Sequence, residues 1–492
     1  MGDLATAVVD GTLFGHAGAM VRGLTYDSRM VQPGDLFAAL RGADFDGHAY
    51  VDRALASGAA ALLVERRLAA DVPQIVVPDS RAALAPISTA FFGHPSHELT
   101  LIGLTGTDGK TTTGYLVDHL LRQAGYTTGM IGTVGIRVGR DITHQLPHQT
   151  TPESNLLQGY LREMTEHDVS HAVIEATSHG LAMHRLDGTR FAIAGITNMT
   201  HEHLEYHGTV ERYWRAKAIL VERVAANGGV VVLNADDPGA MSALPYATGA
   251  TVKTVSASGA PADLRATDAV IRPDSTRFTL HEPGGRHQVA MPLVGGFNID
   301  NALVALGIGQ AAGLPVGDMV SALATAGGVP GRMQAIDAGQ PFTVIVDYAH
   351  TPESLRKVLL LLRGMATGRI IVVSGSAGER DPGKRPLQGA ACVALADLSI
   401  FTNEDPRNED PERIIDDIAN GAREAGAVPG RDYLAIVDRT EAIARAFDEA
   451  QPGDIVLLAG KGHETSIIIG YDHTPWDEAA IARALLRDMG GR

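Results

Sequence analysis

The sequence predicts an α/β protein of three domains, on three observations. Short apolar runs bounded by turn clusters recur along the whole chain and alternate with helix-length stretches, the pattern of largely parallel sheets with crossover helices. One run, Leu101–Leu104, breaks into Thr-Gly-Thr-Asp-Gly-Lys-Thr, a glycine-rich turn between a strand and a helix. The chain has 492 residues, too many for one core and suited to about three domains.

Residues 1–98 carry apolar runs at Asp35–Leu40, Ala59–Val64 and Gln74–Val77 and read as a small α/β module. Residues 99–329 read as a doubly wound domain. Its strands are predicted at Leu99–Leu104, Thr127–Ile131, His171–Ala176, Phe191–Asn198 and Gly229–Asn234, with a helix over Thr111–Ala124. Residues 330–492 repeat the theme as a Rossmann-like α/β domain, with strands at Phe342–Val346, Arg369–Val373, Leu398–Thr402, Tyr433–Val437 and Asp454–Ala459. The Gly-Gly-Val-Pro-Gly run, Gly327–Gly331, is the expected hinge.

Lys plus Arg number 41 against 57 Asp plus Glu, a net charge of −16. That balance excludes a phosphate-backbone partner such as DNA or RNA, and any anionic substrate must be held by local cations. The single cysteine, Cys392, excludes an internal disulfide and a cysteine-based metal cluster. With no long apolar run and no basic segment leading into an apolar one, a cytoplasmic protein without a membrane span is expected.

The chemistry gathers at strand ends. In the turn after Leu104, backbone N–H groups around Gly106, Thr107, Asp108 and Gly109 and the opening of a helix suit an anion. Lys110 can reach β- and γ-phosphates and Thr111 a magnesium ion, with Thr112 beside them. The strict G-x-x-x-x-G-K-[ST] pattern fails by one residue, because Leu104 stands where its first glycine belongs. Glu175 closes an apolar strand in HAVIEATSHGL, a costly place for an acid without a partner. NMTHEHLEYHGT (Asn198–Thr209) is dense in His and Glu, and magnesium suits it better than zinc, since no cysteine is at hand and a phosphate turn calls for a hard cation. Lys217 follows on a helix, where a lone lysine is ordinarily solvated. In HQTTPES (His148–Ser154), Thr-Thr-Pro is by itself a helix cap. YDSR (Tyr26–Arg29) and GADFDGHAY (Gly42–Tyr50) are, taken alone, surface turns.

Taken together and in order, these segments resemble the Mur ligase family, ATP-dependent enzymes that join amino acids to carboxylates, and within it the MurE-type branch. T-G-T-x-G-K-T is that family's form of the phosphate turn. The resemblance implies that Ser28, Arg29 and His48 hold the UDP of a UDP-muramoyl dipeptide, and that Thr150, Thr151, Ser178 and Arg185 touch its muramoyl and peptide parts. It implies ATP contacts at the phosphate turn and at Asn298, Asn301, Arg332 and Asp347. It makes Lys110, Glu175, His203 and Lys217 the catalytic set, with Thr111, Glu175, His203 and a carbamylated Lys217 as ligands of two magnesium ions. Glu202 and Glu205 stand where the family usually has aspartates.

Three pieces of the third domain, AGERDPGKRP, TNEDPRNEDP and AGKGHE, match the family's elements for the incoming amino acid, through Arg380, Glu404, Asp405, Arg407, Gly460 and Glu464. The implied activity is addition of a diamino acid to UDP-N-acetylmuramoyl-L-alanyl-D-glutamate through an acyl phosphate, in cell-wall peptidoglycan synthesis, by a monomer. Where relatives that add meso-diaminopimelate have a neutral Asn, this chain has Asp405, and its charge favours the ammonium of L-lysine or L-ornithine over a carboxylate. Two alternatives are a sibling ligase of the MurF or folylpolyglutamate type and a non-catalytic sensor of ATP or muramoyl peptide.

Overall fold

The computed structural model describes residues 1–42, 45–140, 142–144, 149–200, 202–272 and 275–490. The first sheet comprises β1 (Thr12–Phe14), β2 (Gly23–Thr25), β3 (Asp35–Ala38), β4 (Ala61–Val64) and β5 (Gln74–Val76), in the order β1-β5-β4-β3-β2. Its pairs are parallel except β1 on β5. Successive side chains of a strand face opposite ways, so Leu36, Ala38, Ala61 and Leu63 enter one core and Phe37, Ala39, Leu62 and Val64 another. That two-sided burial is why these strands read as unbroken apolar runs.

The second sheet has β6 (Thr100–Thr105), β7 (Thr128–Gly132), β8 (Gly135–Val138), β9 (Ile142–His144), β10 (His171–Glu175), β11 (Ile193–Ile196), β12 (Val230–Asn234), β13 (Thr251–Ser256), β14 (Leu264–Ile271), β15 (Thr276–Glu282) and β16 (Gly285–Met291). Their order is β16-β15-β14-β13-β12-β11-β6-β10-β7-β8-β9. From β13 to β7 every pair is parallel. β6 lies between β10 and β11, so the winding reverses there and opens a crevice at the carboxyl ends of these three strands. Register places Glu175 opposite Leu104 and Ile196 opposite Thr105, which levels those ends. The predicted strands of this region agree with the observed ones to within two residues. The antiparallel β7-β8-β9 extension and strands β13–β16 were not foreseen. Much of β14 and β16 is exposed, and such strands lack the apolar run that marks a buried one.

The third sheet has β17 (Gln334–Ile336), β18 (Thr343–Asp347), β19 (Ile370–Ser374), β20 (Leu398–Phe401), β21 (Tyr433–Ala435) and β22 (Ile455–Ala459), in the order β17-β18-β22-β19-β20-β21. All pairs but β17 on β18 are parallel. A hairpin of β23 (Ser466–Ile469) and β24 (Asp472–Pro475) follows. Cys392 is buried in one of this sheet's cores, and burial pushes its thiol up to about 12, as suits a packing residue.

The chain forms two compact units, one of residues 1–267, 279–289 and 299–323, the other of 268–278, 290–298 and 324–492. Within the first, the N-terminal module is bound to the central sheet by polar contacts. Arg81 pairs with Glu153 at 2.7 Å, Asn155 Nδ2 donates to the Leu24 carbonyl, and Arg162 donates to those of Phe92 and Gly93. Among the described residues no helix is long and apolar enough to cross a membrane.

Candidate active site

The phosphate turn is built by β6 and the helix Lys110–Gln123. Gly109 has φ +84°, and a Cβ there would fall 2.2 Å from Asn301 Oδ1; at Gly106 a Cβ would lie against the Thr197 hydroxyl. Only glycine lets the backbone come this close. Two residues that sequence reasoning passed over clamp the turn. Thr197 Oγ1 donates to the Asp108 carbonyl at 2.6 Å, and Asn198 Oδ1 accepts from the Asp108 N–H at 2.9 Å. The Asp108 side chain is exposed, while Thr107 and Thr111 are buried and Lys110 and Thr112 are half-buried. Lys110 Nζ folds back onto the carbonyls of Gly106 and Thr107, both at 2.9 Å. A cation over two loop carbonyls, with a helix opening beneath it, fits a polyphosphate.

Glu175 is completely buried. Its Oε2 accepts from the Thr111 and Thr133 hydroxyls, both at 3.0 Å, and Oε1 from the Thr133 N–H at 3.0 Å. None of these partners is cationic, so a buried anion and a threonine hydroxyl stand together as hard oxygen donors, a set that fits magnesium. Thr133 was missed because a lone Thr after a strand carries no sequence signal. No group of three His, Cys, Asp or Glu side chains closes on a metal position among the described residues.

Lys217 is 1 % exposed, on the helix Val210–Ala226. Its Nζ donates to the Gly106 carbonyl at 2.5 Å and sits 4.6 Å from the Tyr213 ring centre. Burial, then the charge of Lys110, drives its pKa well below the usual lysine value. Tyr213, one helical turn earlier, shares a hydrogen bond with Thr107 Oγ1 at 3.0 Å and donates to Glu202 Oε2 at 3.5 Å. Tyr213 was legible as an i, i+4 neighbour of Lys217 but was not singled out. His203 takes a left-handed backbone conformation, with its ring 4.6 Å from that of His179 and its Nε2 3.7 Å from Glu202. It stands in an aromatic group with Tyr206 and His207. The side chain of Glu205 and all of His148 lie outside the described residues.

Thr151 ties the site's second wall, donating to the Glu175 carbonyl at 2.7 Å and meeting the Thr177 hydroxyl at 2.9 Å. Thr150 meets Thr133 at 3.2 Å. Ser178 opens the short helix Ser178–Ala182, and Arg185 donates to the Thr151 carbonyl and pairs with Glu153 at 3.1 Å. Glu153 is thus shared by Arg185 and Arg81, a link the sequence did not disclose. In the N-terminal module Ser28 is buried, and Arg29 is exposed and paired with Asp27 at 2.6 Å. His48 is engaged internally at both ring nitrogens, by Asp46 and by the Glu65 N–H. Its side chain is 0 % exposed, so the ring braces the loop from within.

On the helix Phe297–Ala311, Asn298 donates to the Val294 carbonyl and Asn301 accepts from Thr113 Oγ1 at 3.3 Å. In the second unit, Asp347 takes the N–H groups of Met333 and Ala349, both at 2.8 Å, and burial raises its pKa. Arg332 stacks over Tyr348 at 4.7 Å. Beyond β20, Asp405 Oδ1 accepts from the buried Lys461 at 2.8 Å and from the Ile468 N–H at 2.9 Å. The Asp405 carboxylate, expected to meet the amino acid, is thus engaged by a buried ammonium. Arg407 is half-buried, with no partner at Nε among the described residues, and Arg380 is exposed. Gly460 lies against Glu404, whose buried Oε2 likewise has no partner.

Glu404 is pushed up to about 7, chiefly by burial and against the pull of Lys384, Arg439 and Lys461. A raised carboxyl binds its proton more tightly folded than unfolded. Its contribution to stability is therefore whole below the unfolded value of 4.5 and lost as pH rises through about 7. Glu404→Gln should gain in melting temperature relative to wild type between about pH 5 and about pH 8. An unchanged difference across that window would contradict the shift.

The comparisons agree with this geometry. Residues 104–309 match the Mur ligase middle domain, 331–462 the Mur ligase glutamate ligase domain, and 20–92 the Mur ligase family catalytic domain. The chain is 47 % identical to the UDP-N-acetylmuramyl-tripeptide synthetase of Roseiflexus sp., covering 96 % of this chain and 95 % of that protein. It is 42 % identical to the UDP-N-acetylmuramoyl-L-alanyl-D-glutamate–2,6-diaminopimelate ligase of Geobacillus kaustophilus, covering 95 % of each. A solved structure of a ligase of the latter name superposes with a TM-score of 0.68 at 32 % identity, covering 96 % of this chain and 95 % of that one. With three family domains in order and full-length relatives that are ligases, the chain belongs to the Mur ligase family of ATP-dependent ligases.

Proposed function

We propose that this enzyme is of the MurE type and adds a diamino acid to UDP-N-acetylmuramoyl-L-alanyl-D-glutamate, in the cytoplasm, as a monomer, during peptidoglycan synthesis. The observation that carries the proposal is the convergence of Lys110 and Lys217 on the Gly106 carbonyl, beside the Thr111–Glu175 pair. Such a site suits transfer of the γ-phosphoryl group of ATP to a carboxylate, followed by attack of the incoming amine on the acyl phosphate. Bound magnesium would supply charge neutralisation at the transferring phosphoryl group. Thr111 and Glu175 would hold one ion, and His203 and a carbamylated Lys217 would serve the second. Lys110 orients the polyphosphate, and Thr151 and Arg185 place the muramoyl peptide. Arg332, Asp347, Asn298 and Asn301 complete the ATP contacts, and Ser28, Arg29 and His48 those of the UDP.

Relatives are named both with the added amino acid left open and with 2,6-diaminopimelate. The preference for L-lysine or L-ornithine rested on Asp405, whose charge Lys461 offsets. Glu464 also binds Lys461, at 2.6 Å, but is partly exposed and suits an ammonium, and Arg407 suits a carboxylate. The far end of meso-diaminopimelate offers both, so it becomes the favoured substrate. The test is phosphate release with the UDP-muramoyl dipeptide and the amino acid omitted in turn, then lysine, ornithine and meso-diaminopimelate offered separately. Release that does not depend on the dipeptide would sink the MurE reading. A kcat/KM for lysine or ornithine at least about tenfold above that for meso-diaminopimelate would restore the basic amino acid.

Asp108 stands where the family commonly has Asn, and its exposed side chain points to no repulsion of the phosphates. Asp108→Asn should change the KM for ATP by less than about tenfold, roughly 1.4 kcal/mol. Tightening by about a hundredfold would place the carboxylate against the phosphates.

A further inference from the structure

Lys461, which offsets Asp405 in the reading above, is completely buried between two acids. Nζ donates to Asp405 Oδ1 at 2.8 Å and to Glu464 Oε2 at 2.6 Å. Asp405 Oδ1 also accepts from the Ile468 N–H, and its side chain is 9 % exposed. Glu464 is 32 % exposed, and its other oxygen accepts from the Tyr348 hydroxyl at 3.3 Å. One ammonium therefore joins the loops that follow β20 and β22, and through Glu464 the loop after β18. A buried ammonium persists only with charged or hydrogen-bonded partners, and here both partners are carboxylates from the segments matched to amino-acid binding. The two carboxylates receive different treatment. Asp405 is turned inward onto an ammonium and an amide, while Glu464 gives one oxygen to Lys461 and stays accessible.

We infer that Lys461 is a positioning residue that sets amino-acid specificity: it draws Asp405 into the fold and fixes Glu464 on Tyr348, so that Glu464 is the acid met by the incoming amino acid. The inference rests on the proposed amino-acid-binding role of this unit. It also inverts the charge argument drawn from the sequence, because the residue that differs from the diaminopimelate-adding pattern is the one withdrawn from the substrate.

The test is steady-state kinetics of the full chain, with amino acid, ATP and UDP-muramoyl dipeptide varied in turn. Lys461→Met strands two carboxylates, and the KM for the amino acid should rise at least about tenfold, while the KM for ATP stays within about threefold of wild type. Lys461→Met/Asp405→Asn removes the stranded inner charge and should lower the amino-acid KM at least about threefold from that of Lys461→Met, the rest of the loss being that of Glu464 left without its ammonium. An unchanged amino-acid KM in Lys461→Met overturns the inference, as does a double variant that regains its melting temperature with an amino-acid KM no lower than that of Lys461→Met. Should Lys461→Met fail to fold, Asp405→Asn alone decides. Kcat/KM for lysine and for meso-diaminopimelate should then move in proportion, and a change of more than about tenfold in their ratio would put Asp405 against the substrate. Wild-type enzyme that releases phosphate independently of any diamino acid would instead overturn the underlying binding role, a distinct result.

Discussion

Lys217→Ala is expected to lose at least about a hundredfold in kcat, and to recover part of it in added formate or acetate. The side chain is buried, its amine is held well below the usual lysine pKa by burial and by Lys110, and it contacts a carbonyl of the phosphate turn. A neutral amine is the form that carbon dioxide can convert to a carbamate, releasing a proton, and the product is an anion that can serve a metal ion. Small carboxylates can stand in for that anion once the side chain is gone. Bicarbonate should not rescue the alanine variant, since no amine remains to be modified, and Lys217→Arg should stay inactive because a guanidinium keeps its positive charge. A readout independent of turnover is the carbamate signal from isotopically labelled bicarbonate, present in wild type and absent in Lys217→Arg. Full activity in Lys217→Arg would refute the assignment.

The largest effect on stability is expected at Arg439. It is 1 % exposed and pairs with the fully buried Glu478 at 2.6 Å, and its guanidinium also donates to the carbonyls of Asn403 and Ala459. Those two carbonyls immediately precede Glu404 and Gly460, so the pair braces both loops proposed to bind the amino acid. Arg439→Met leaves Glu478 buried with, among the described residues, only the Trp476 indole N–H as donor. Breaking a buried pair on one side costs about 3–5 kcal/mol, which for a unit of about 150–250 residues lowers the melting temperature by roughly 10 °C. Arg439→Met/Glu478→Leu should regain most of that loss, because no buried charge is left alone. A single variant within about 1 kcal/mol of wild type, or a double variant no more stable than the single, would show that the pair is not the brace.

The sequence by itself determined the buried central strands of the parallel sheets, the phosphate turn and the order of the family's segments. These are local properties: an apolar run such as Ile370–Val373 reports burial on both faces, and a Gly-Lys-Thr turn between strand and helix reports its own geometry. Exposed strands such as β14 and β16 were missed because they lack the apolar run on which such a reading depends. Only the tertiary structure decided which charges stay available. Asp405 and Lys461 lie 56 residues apart, Glu153 is shared by arginines 72 residues before it and 32 after it, and Thr133 meets Glu175 from 42 residues away. Whether a carboxylate faces a substrate or a buried ammonium depends on contacts between strand-end loops. Those contacts follow from the strand order β18-β22-β19-β20, which no window of the sequence displays.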